Sequence, residues 1–146
     1  VSDLAFKKIY RDTWGPALAS GLQRIGFSIK KRIISPDDQK TIELHIRRAA
    51  RGVNVVVLTG GTGLSSRDVT PEAVMAVCDR QIPGIGESLR ASGGPVTAAL
   101  SRSVAGQLGE CVIVALPGSG GGVRDGLCVL EELLPHAVHI AHGGKH

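Results

Sequence analysis

The feature that most restricts the fold is the segment 58–73, LTGGTGLSSRDVTPEA, which directly follows the apolar run 53–57. An apolar strand that ends in glycines, followed by a polar loop and a helix start, is the way in which α/β proteins bind anions. Gly60, Gly61 and Gly63 allow main-chain N–H groups to approach a ligand closely. An isolated GGTG is more often a plain tight turn. The residues around this loop must therefore decide whether it is a site.

Strand and helix patterns alternate along the rest of the chain. Helices are predicted from Gly15 to a stop at Gly26, from the Ser-Pro-Asp-Asp sequence at 35–38 to about residue 50, from Thr70, over 85–91, and from Val123 to near Pro135. Strands are predicted over 27–34, 53–59 and 111–116. This order predicts an α/β fold, a three-layer α/β/α sandwich around a mostly parallel sheet with 53–59 at its centre.

Candidate side chains lie beside two glycine-rich loops, 60–63 and 117–122, each of which follows a predicted strand. Ligands of such sheets bind beyond the carboxyl ends of the strands. Arg67 and Asp68 offer a cation for phosphate and a carboxylate for Mg²⁺ or a polar group. Asp37 adds a second carboxylate if its loop is adjacent. Both aspartates are also typical of helix starts, so capping and function remain open for each of them.

Two carboxylates that face one anion site are what a metal-assisted phosphoryl or nucleotidyl transfer needs. No GK[ST] follows the glycines, and no GxGxxG fits the first turn between a strand and a helix. Kinases with a P-loop and dinucleotide enzymes are therefore disfavoured. Ser101, Ser103 and Ser119 lack a recognisable nucleophile motif with His and Asp, so serine hydrolase chemistry is not supported.

Length and composition narrow the class of protein further. The 146 residues predict one domain, 1–146, with a real core. No apolar run is long enough to span a membrane, and Val1-Ser2-Asp3 has the pattern of a strand end rather than of a signal sequence, which predicts a soluble cytoplasmic protein. The net charge of +4 attracts anions, but with 3% aromatic residues and no nucleic-acid motif, small anionic molecules are favoured over nucleic acid.

The cysteines and histidines predict no metal site. Cys78, Cys111 and Cys128 are odd in number, lack metal-ligand spacing and each lie in an apolar pattern, so we expect reduced, buried thiols without a disulfide or zinc. Four of the five histidines crowd the C-terminus, which predicts a frayed polar tail.

Five ordered motifs extend the interpretation to nearly the whole chain: TGGTG at 59–63, RDVTPEA at 67–73, IPGIGESLR at 82–90, LSRSVAG at 100–106 and LPGS at 116–119. With VSD at 1–3 and SPD at 35–37, they closely resemble the molybdopterin adenylyltransferase family of molybdenum cofactor biosynthesis, the Mog and MoaB-like proteins related to the first domain of gephyrin. The resemblance implies transfer of the AMP part of Mg-ATP to the terminal phosphate of molybdopterin, with release of pyrophosphate.

The resemblance also implies roles for single residues. Asp37 and Asp68 match the two functionally important carboxylates, which position the Mg²⁺ and the nucleotide. The residues that would hold pterin and phosphate groups, or line the same pocket, are Ser2, Asp3, Thr59, Gly60, Gly61, Thr62, Gly63, Arg67, Ser101, Pro117, Gly118 and Ser119. The implied assembly is a homotrimer, and other molybdenum cofactor biosynthesis proteins are possible partners.

Three positions depart from the family pattern. Gly120 replaces a Pro after LPGS, Ala115 stands where Asn is often found, and Trp14 replaces a small hydroxyl residue in a DxSGP-like motif. A more flexible phosphate loop would favour a non-catalytic molybdopterin-binding relative or scaffold, whereas the presence of both Asp37 and Asp68 favours an enzyme. A domain allied to competence-damage proteins, which share this fold, is a third and less favoured alternative.

Overall fold

Helices and strands alternate along residues 1–7, 12–92 and 94–145, which are those that the structure, a computed structural model, describes. The helices are α1 (Asp3–Phe6), α2 (Trp14–Ile25), α3 (Gln39–Ala50), α4 (Thr70–Val77), α5 (Pro83–Ala91) and α6 (Gly120–Ala141), with a 3-10 helix at Val96–Leu100. The strands are β1 (Val55–Thr59), β2 (Arg80–Gln81), β3 (Ala105–Leu108) and β4 (Cys111–Leu116). None of the helices in these ranges is long and apolar enough to span a membrane.

The strands form one sheet in the order β1-β4-β3-β2. β1 pairs with β4 in parallel, and Thr59 lies opposite Leu116. β3 is antiparallel to β4, and β2 is antiparallel to β3. Three of the four strands therefore point in the same direction, which confirms the prediction of a mostly parallel sheet. The hairpin of β3 and β4 and the short β2 were not predicted, because their segments are too short or too rich in small residues to show a period.

Helices cover both faces of the sheet. On one face, α2, α5 and α6 pack around Val112, Val114 and Leu116 of β4. On the other face, α3 and α4 pack around the alternate residues of the same strand, of which Ile113 and Ala115 are fully buried. Successive side chains of a strand point to opposite faces, so β4 contributes to both cores. This arrangement confirms the three-layer α/β/α sandwich.

Helices α2 and α6 pack closely through one glycine on each helix. A methyl group on Gly21 would collide with Leu127, and a methyl group on Gly120 would collide with the indole of Trp14. The first contact joins Trp14 of α2 to Gly120 of α6, and the second joins Gly21 of α2 to Leu127 of α6. From the first contact to the second, the position moves seven residues toward the C-terminus in both helices. The two helices therefore run in the same direction, and the first turn of α2 lies against the first turn of α6.

The structure corrects the prediction of a strand over 27–34. Phe27 and Ile29 pack on the core, but residues 30–34 are exposed, and the segment contains no strand. The alternation of apolar and basic residues that predicted a strand therefore reflects only the packing of Phe27 and Ile29 on the core. Asp3 begins α1, and the Ser2 hydroxyl accepts a hydrogen bond from the Ala5 N–H at 3.4 Å, whereas the Val1 ammonium donates to the Thr59 carbonyl of β1.

Strand β1 lies at an end of the described sheet rather than at its centre, and β4 takes a central place. The prediction of a central position was wrong because an apolar run indicates only that both faces of the strand are covered. Val55 and Val57 pack against one core, and Val56 and Leu58 pack against the other. Such covering by helices occurs at the edge of a sheet as well as in its middle.

The last helix extends to Ala141 instead of stopping near Pro135. Proline removes one helix hydrogen bond, but Leu134 before it is fully buried, and Ala137 and Val138 after it pack on the core. This burial holds the helix together beyond the proline. His136 and His139 consequently lie in a helix rather than in a frayed tail, and His142 contacts Asn54 through its Nε2 at 2.8 Å.

All three cysteines are free thiols, although their surroundings differ. Cys111 is buried and Cys78 is half-buried, as expected, but Cys128 on α6 is exposed, so the prediction of a buried thiol was wrong there. Burial raises the pKa of Cys78 to about 11 and the pKa of Cys111 to about 11. The thiolate is the reactive form of cysteine, so both thiols are inert near neutral pH.

We expect iodoacetamide at pH 8 to alkylate one thiol per folded chain, at Cys128, and all three after denaturation. The raised pKa values of Cys78 and Cys111 keep these thiols protonated until the pH approaches 11, whereas Cys128 meets the solvent. Peptide mass spectrometry after labelling measures the sites. A Cys128→Ser variant should lose the rapid reaction, and rapid labelling of Cys111 in the folded protein would contradict this assignment.

Candidate functional site

The parallel pairing of β1 and β4 brings the two glycine-rich loops into direct contact. The Gly60 N–H donates to the Leu116 carbonyl at 3.1 Å, and the Thr59 hydroxyl donates to the Pro117 carbonyl at 2.8 Å. A methyl group on Gly118 would lie 2.9 Å from the Gly60 Cα, so the two backbones leave no room for a side chain there. The prediction that both loops share one edge of the sheet is confirmed.

The first loop is folded back onto the start of α4. Gly60 and Gly61 have φ angles of +95° and +67°, which favour glycine. The buried Thr70 donates from its hydroxyl to the Gly60 carbonyl at 2.9 Å and from its N–H to the Gly61 carbonyl at 3.0 Å. In the part of the chain that the structure describes, the N–H groups of residues 61–63 have no protein acceptor. An anionic ligand bound at this loop would supply the acceptors that these three donors lack.

A cleft of about 500 Å³ opens beside this loop. Its polar side includes Thr62, Asp68, Ser101 and Ser119, and its apolar side includes Leu64 and Leu100. The Ser101 hydroxyl lies 3.4 Å from the Thr62 hydroxyl and 2.9 Å from that of the buried Ser103, so three hydroxyls form a chain that ends at the cleft. Leu64 and Leu100 are 69% and 57% exposed, which leaves apolar surface at the rim of a polar cleft.

Arg102 is the cation that is built into this site, and no sequence pattern assigned it that role. Its N–H donates to the Thr62 carbonyl and its Nε to the Gly63 carbonyl, both at 2.8 Å. Its two terminal nitrogens donate to the Asp68 carbonyl and to the Glu72 carboxylate. One side chain thus fastens the glycine loop to the start of α4. The partners of Arg102 lie 30 to 40 residues earlier in the chain, so only the fold reveals them.

Arg67, the predicted phosphate cation, is exposed and does not line the cleft. Asp68 does line it, and its Oδ2 lies 2.9 Å from a methyl group placed on Gly63. The same oxygen accepts a hydrogen bond from the Ser65 N–H at 2.9 Å. The residue at the N-cap of α4 is Val69, which makes no side-chain cap. Asp68 therefore does not cap this helix, so capping is removed as an explanation for this residue.

The cap of α3 is made by Asp38 and not by Asp37. The Asp38 carboxylate accepts hydrogen bonds from the N–H and the hydroxyl of Thr41 at 2.8 and 2.6 Å, which lowers the pKa of Asp38 below its usual value. Asp37 instead points toward the glycine loop, since its Oδ1 would lie 3.7 Å from a methyl group on Gly61. Asp37 and Asp68 therefore stand beside residues 61 and 63 of one loop.

The remaining predicted residues lie around this edge in different ways. Ser119 caps α6, because its hydroxyl accepts the Gly122 N–H at 3.0 Å. The N–H groups of Gly120 and Gly121 in the first turn of that helix have no helical acceptor. The Ser2 N–H donates to the Ser35 carbonyl at 2.9 Å, two residues before Asp37. The side chain of Asp3 lies outside the described residues.

Preformed metal cages are absent from residues 1–7, 12–92 and 94–145, which contain no cluster of three or more His, Cys, Asp or Glu side chains. A larger cleft, of about 670 Å³, lies at the opposite edge of the sheet beside Asn54 and Gly109. Its lining includes Arg47, Arg51 and Asp79, and the His142 Nε2 lies 3.9 Å from the Glu110 carboxylate. We assign the candidate site to the smaller cleft, which is lined by the glycine loop, by hydroxyls and by the carboxylate of Asp68, while Asp37 lies beside Gly61 of the same loop.

Comparisons with known proteins agree with this geometry. A family model described as probable molybdopterin binding domain matches residues 1–136. The molybdenum cofactor biosynthesis bifunctional protein of Synechococcus elongatus is 38% identical over 149 residues, which cover 100% of this chain and 47% of that protein. The molybdopterin adenylyltransferase of Haemophilus influenzae is 38% identical over 134 residues, which cover 87% of this chain and 68% of that protein. The chain thus spans less than half the length of the first relative.

A solved structure shares the fold over nearly the whole chain. The molybdopterin biosynthesis Mog protein from Mycobacterium ulcerans superimposes with a TM-score of 0.89 and 39% identity, covering 96% of this chain and 93% of that one.

We expect Arg102→Gln to loosen the glycine loop. Loss of the contacts with Gly63, Asp68 and Glu72 should lower the free energy of unfolding by about 1–3 kcal/mol and speed amide hydrogen exchange over 61–68. Arg67→Gln removes the same charge from an exposed side chain nearby and should change neither quantity. Denaturant unfolding and hydrogen exchange measure the two effects. Equal behaviour of the two variants would show that Arg102 does not hold the loop.

Proposed function

Because the chain belongs to the molybdopterin binding domain family of molybdenum cofactor biosynthesis proteins, we propose that it is a molybdopterin adenylyltransferase. A terminal phosphate oxygen of molybdopterin attacks the α-phosphorus of ATP, the bond from that phosphorus to the bridging oxygen breaks, and pyrophosphate leaves. The observation that carries the proposal is the placement of Asp37 and Asp68 beside one glycine loop, where Asp38 rather than Asp37 caps α3 and Val69 rather than Asp68 is the N-cap residue of α4.

Phosphate binding falls to the main chain and to hydroxyls. The open N–H groups of residues 61–63 donate to the terminal phosphate of molybdopterin, together with the hydroxyls of Thr62 and Ser101. Such donors are fixed before the ligand arrives, so they stabilise charge without reorganising. Arg102 keeps them in place, and its guanidinium acts through the loop rather than on the ligand. Thr59, Gly60, Pro117 and Gly118 form the frame on which the two loops meet.

The two aspartates fit a Mg²⁺ that enters with its nucleotide. Magnesium is usually bound by one or two carboxylates together with substrate phosphates, and the site offers Asp37 and Asp68 rather than a complete cage. When bound, the ion neutralises charge on the phosphates. We propose that Ser2, Asp3 and Ser119 line the same pocket and that Arg67 attracts the anionic substrates from the solvent side.

The wider setting follows from the same family. We propose that residues 1–146 act as one molybdopterin-binding domain in a homotrimer and that the product passes to other molybdenum cofactor biosynthesis proteins. Three free thiols fit a reducing compartment such as the cytoplasm.

Purified protein incubated with molybdopterin, ATP and Mg²⁺ should form adenylylated molybdopterin and one equivalent of pyrophosphate, and removal of Mg²⁺ with a chelator should stop the reaction. Chromatography of the pterin product and a pyrophosphate assay measure it. Molybdopterin binding without product would refute the enzyme and leave a molybdopterin-binding scaffold.

Asp68→Asn and Asp37→Asn should each lower kcat on the order of 100-fold, because each removes a charge that positions the phosphates. The matched control is Asp38→Asn, which makes the same change one residue away and keeps the helix cap, since Asn caps as well as Asp. Steady-state rates for the three variants show whether Asp37 and Asp68, but not Asp38, are needed for turnover. A rate for Asp37→Asn equal to that for Asp38→Asn would remove Asp37 from the site.

A further inference from the structure

Two departures from the family pattern, Trp14 and Gly120, form one coupled feature. The six-membered ring of the Trp14 indole occupies the space where a side chain at residue 120 would stand. Any residue with a Cβ at position 120 would therefore have to displace the ring. The absence of a side chain at Gly120 is the condition that lets the indole lie against the first turn of α6.

The helix that carries the indole is placed by contacts at two points. The Gly15 N–H donates to the Asp12 carboxylate at 2.9 Å, and a methyl group on Gly15 would collide with that carboxylate. This tight turn orients the start of α2. Seven residues after Trp14, a methyl group on Gly21 would collide with Leu127, so α2 packs closely on α6. The indole thus belongs to a helix whose place on α6 is set by close packing.

The indole lies close to the candidate cleft in the fold. Ser119 lines that cleft, and Trp14 contacts Gly120, the residue that follows it. Trp14 is 38% exposed, so part of the ring meets the solvent. In contrast, Phe27 packs on the core. A partly exposed aromatic ring near a cleft with open phosphate-binding groups is a stacking surface for a planar base.

We propose that Trp14 is the specificity-determining residue that binds the adenine base of ATP by stacking, and that Gly120 makes room for it. This inference rests on the proposed function, because the phosphates of the same nucleotide must lie in the cleft between Gly61 and Ser119. The base then extends past Ser119 along the first turn of α6 and reaches the indole. Trp14 takes no part in the bond changes, so it governs nucleotide affinity and the choice of base.

The chain contains one tryptophan, which makes the test direct. Titration with AMP, without molybdopterin, should change the fluorescence of Trp14 in a saturable manner, whereas ribose 5-phosphate, which lacks the base, should leave it unchanged. If AMP binds, as calorimetry can establish, and the emission does not change, the stacking proposal is overturned. An equal response to ribose 5-phosphate would overturn it as well.

Variants separate stacking from packing. Trp14→Ser should raise the KM for ATP about 10-fold with little change in kcat or in the KM for molybdopterin, and Trp14→Phe should restore most of the affinity. Calorimetric titration with AMP follows the same variants without turnover. Should Trp14→Ser bind AMP as tightly as the unchanged protein, the indole only packs on Gly120. A fluorescence response to AMP without any adenylylated product would refute the proposed reaction and keep the base site.

Discussion

The pairing of β1 with β4 is the constraint on which the site depends. The two strands are far apart in the chain, yet parallel register places Thr59 opposite Leu116, so both strands end at the same level. The loops that follow must therefore leave the sheet side by side. Their backbones then touch at Gly60 and Gly118, where any side chain would separate them.

The elements around this pair convert a contact between two loops into a rigid edge. Thr70 holds the first loop from below through two hydrogen bonds, and Arg102 holds it from the side through contacts with both its backbone and α4. Because Arg102 lies three residues before β3, the hairpin of β3 and β4 anchors the loop to the sheet. The donors in the loop are oriented by the fold, before any ligand is bound.

The sequence predicted those parts whose causes are local. Helix α2 was predicted because its first turn carries Pro16 and its end carries Gly26, which adopts a φ angle of +107°. β4 was predicted to the residue, since an unbroken apolar run marks a strand buried on both faces. The Arg102 contacts and the coupling of Trp14 with Gly120 were not predicted, because both join segments far apart in the chain. The choice between Asp37 and Asp38 as helix cap also needed geometry, as adjacent residues of one type look alike in a sequence.

The contact between Gly60 and Gly118 divides the site into two kinds of parts. The edge itself is made of main chain, so it offers no side chains that could be exchanged for others. Around it stand side chains such as Trp14, Leu64 and Leu100, which protrude into solvent and support little of the core. In such a molecule the main-chain contact holds the reactive part of the site, and the side chains around it determine selectivity. Related chains can therefore differ in what they bind through substitutions that leave the sheet unchanged.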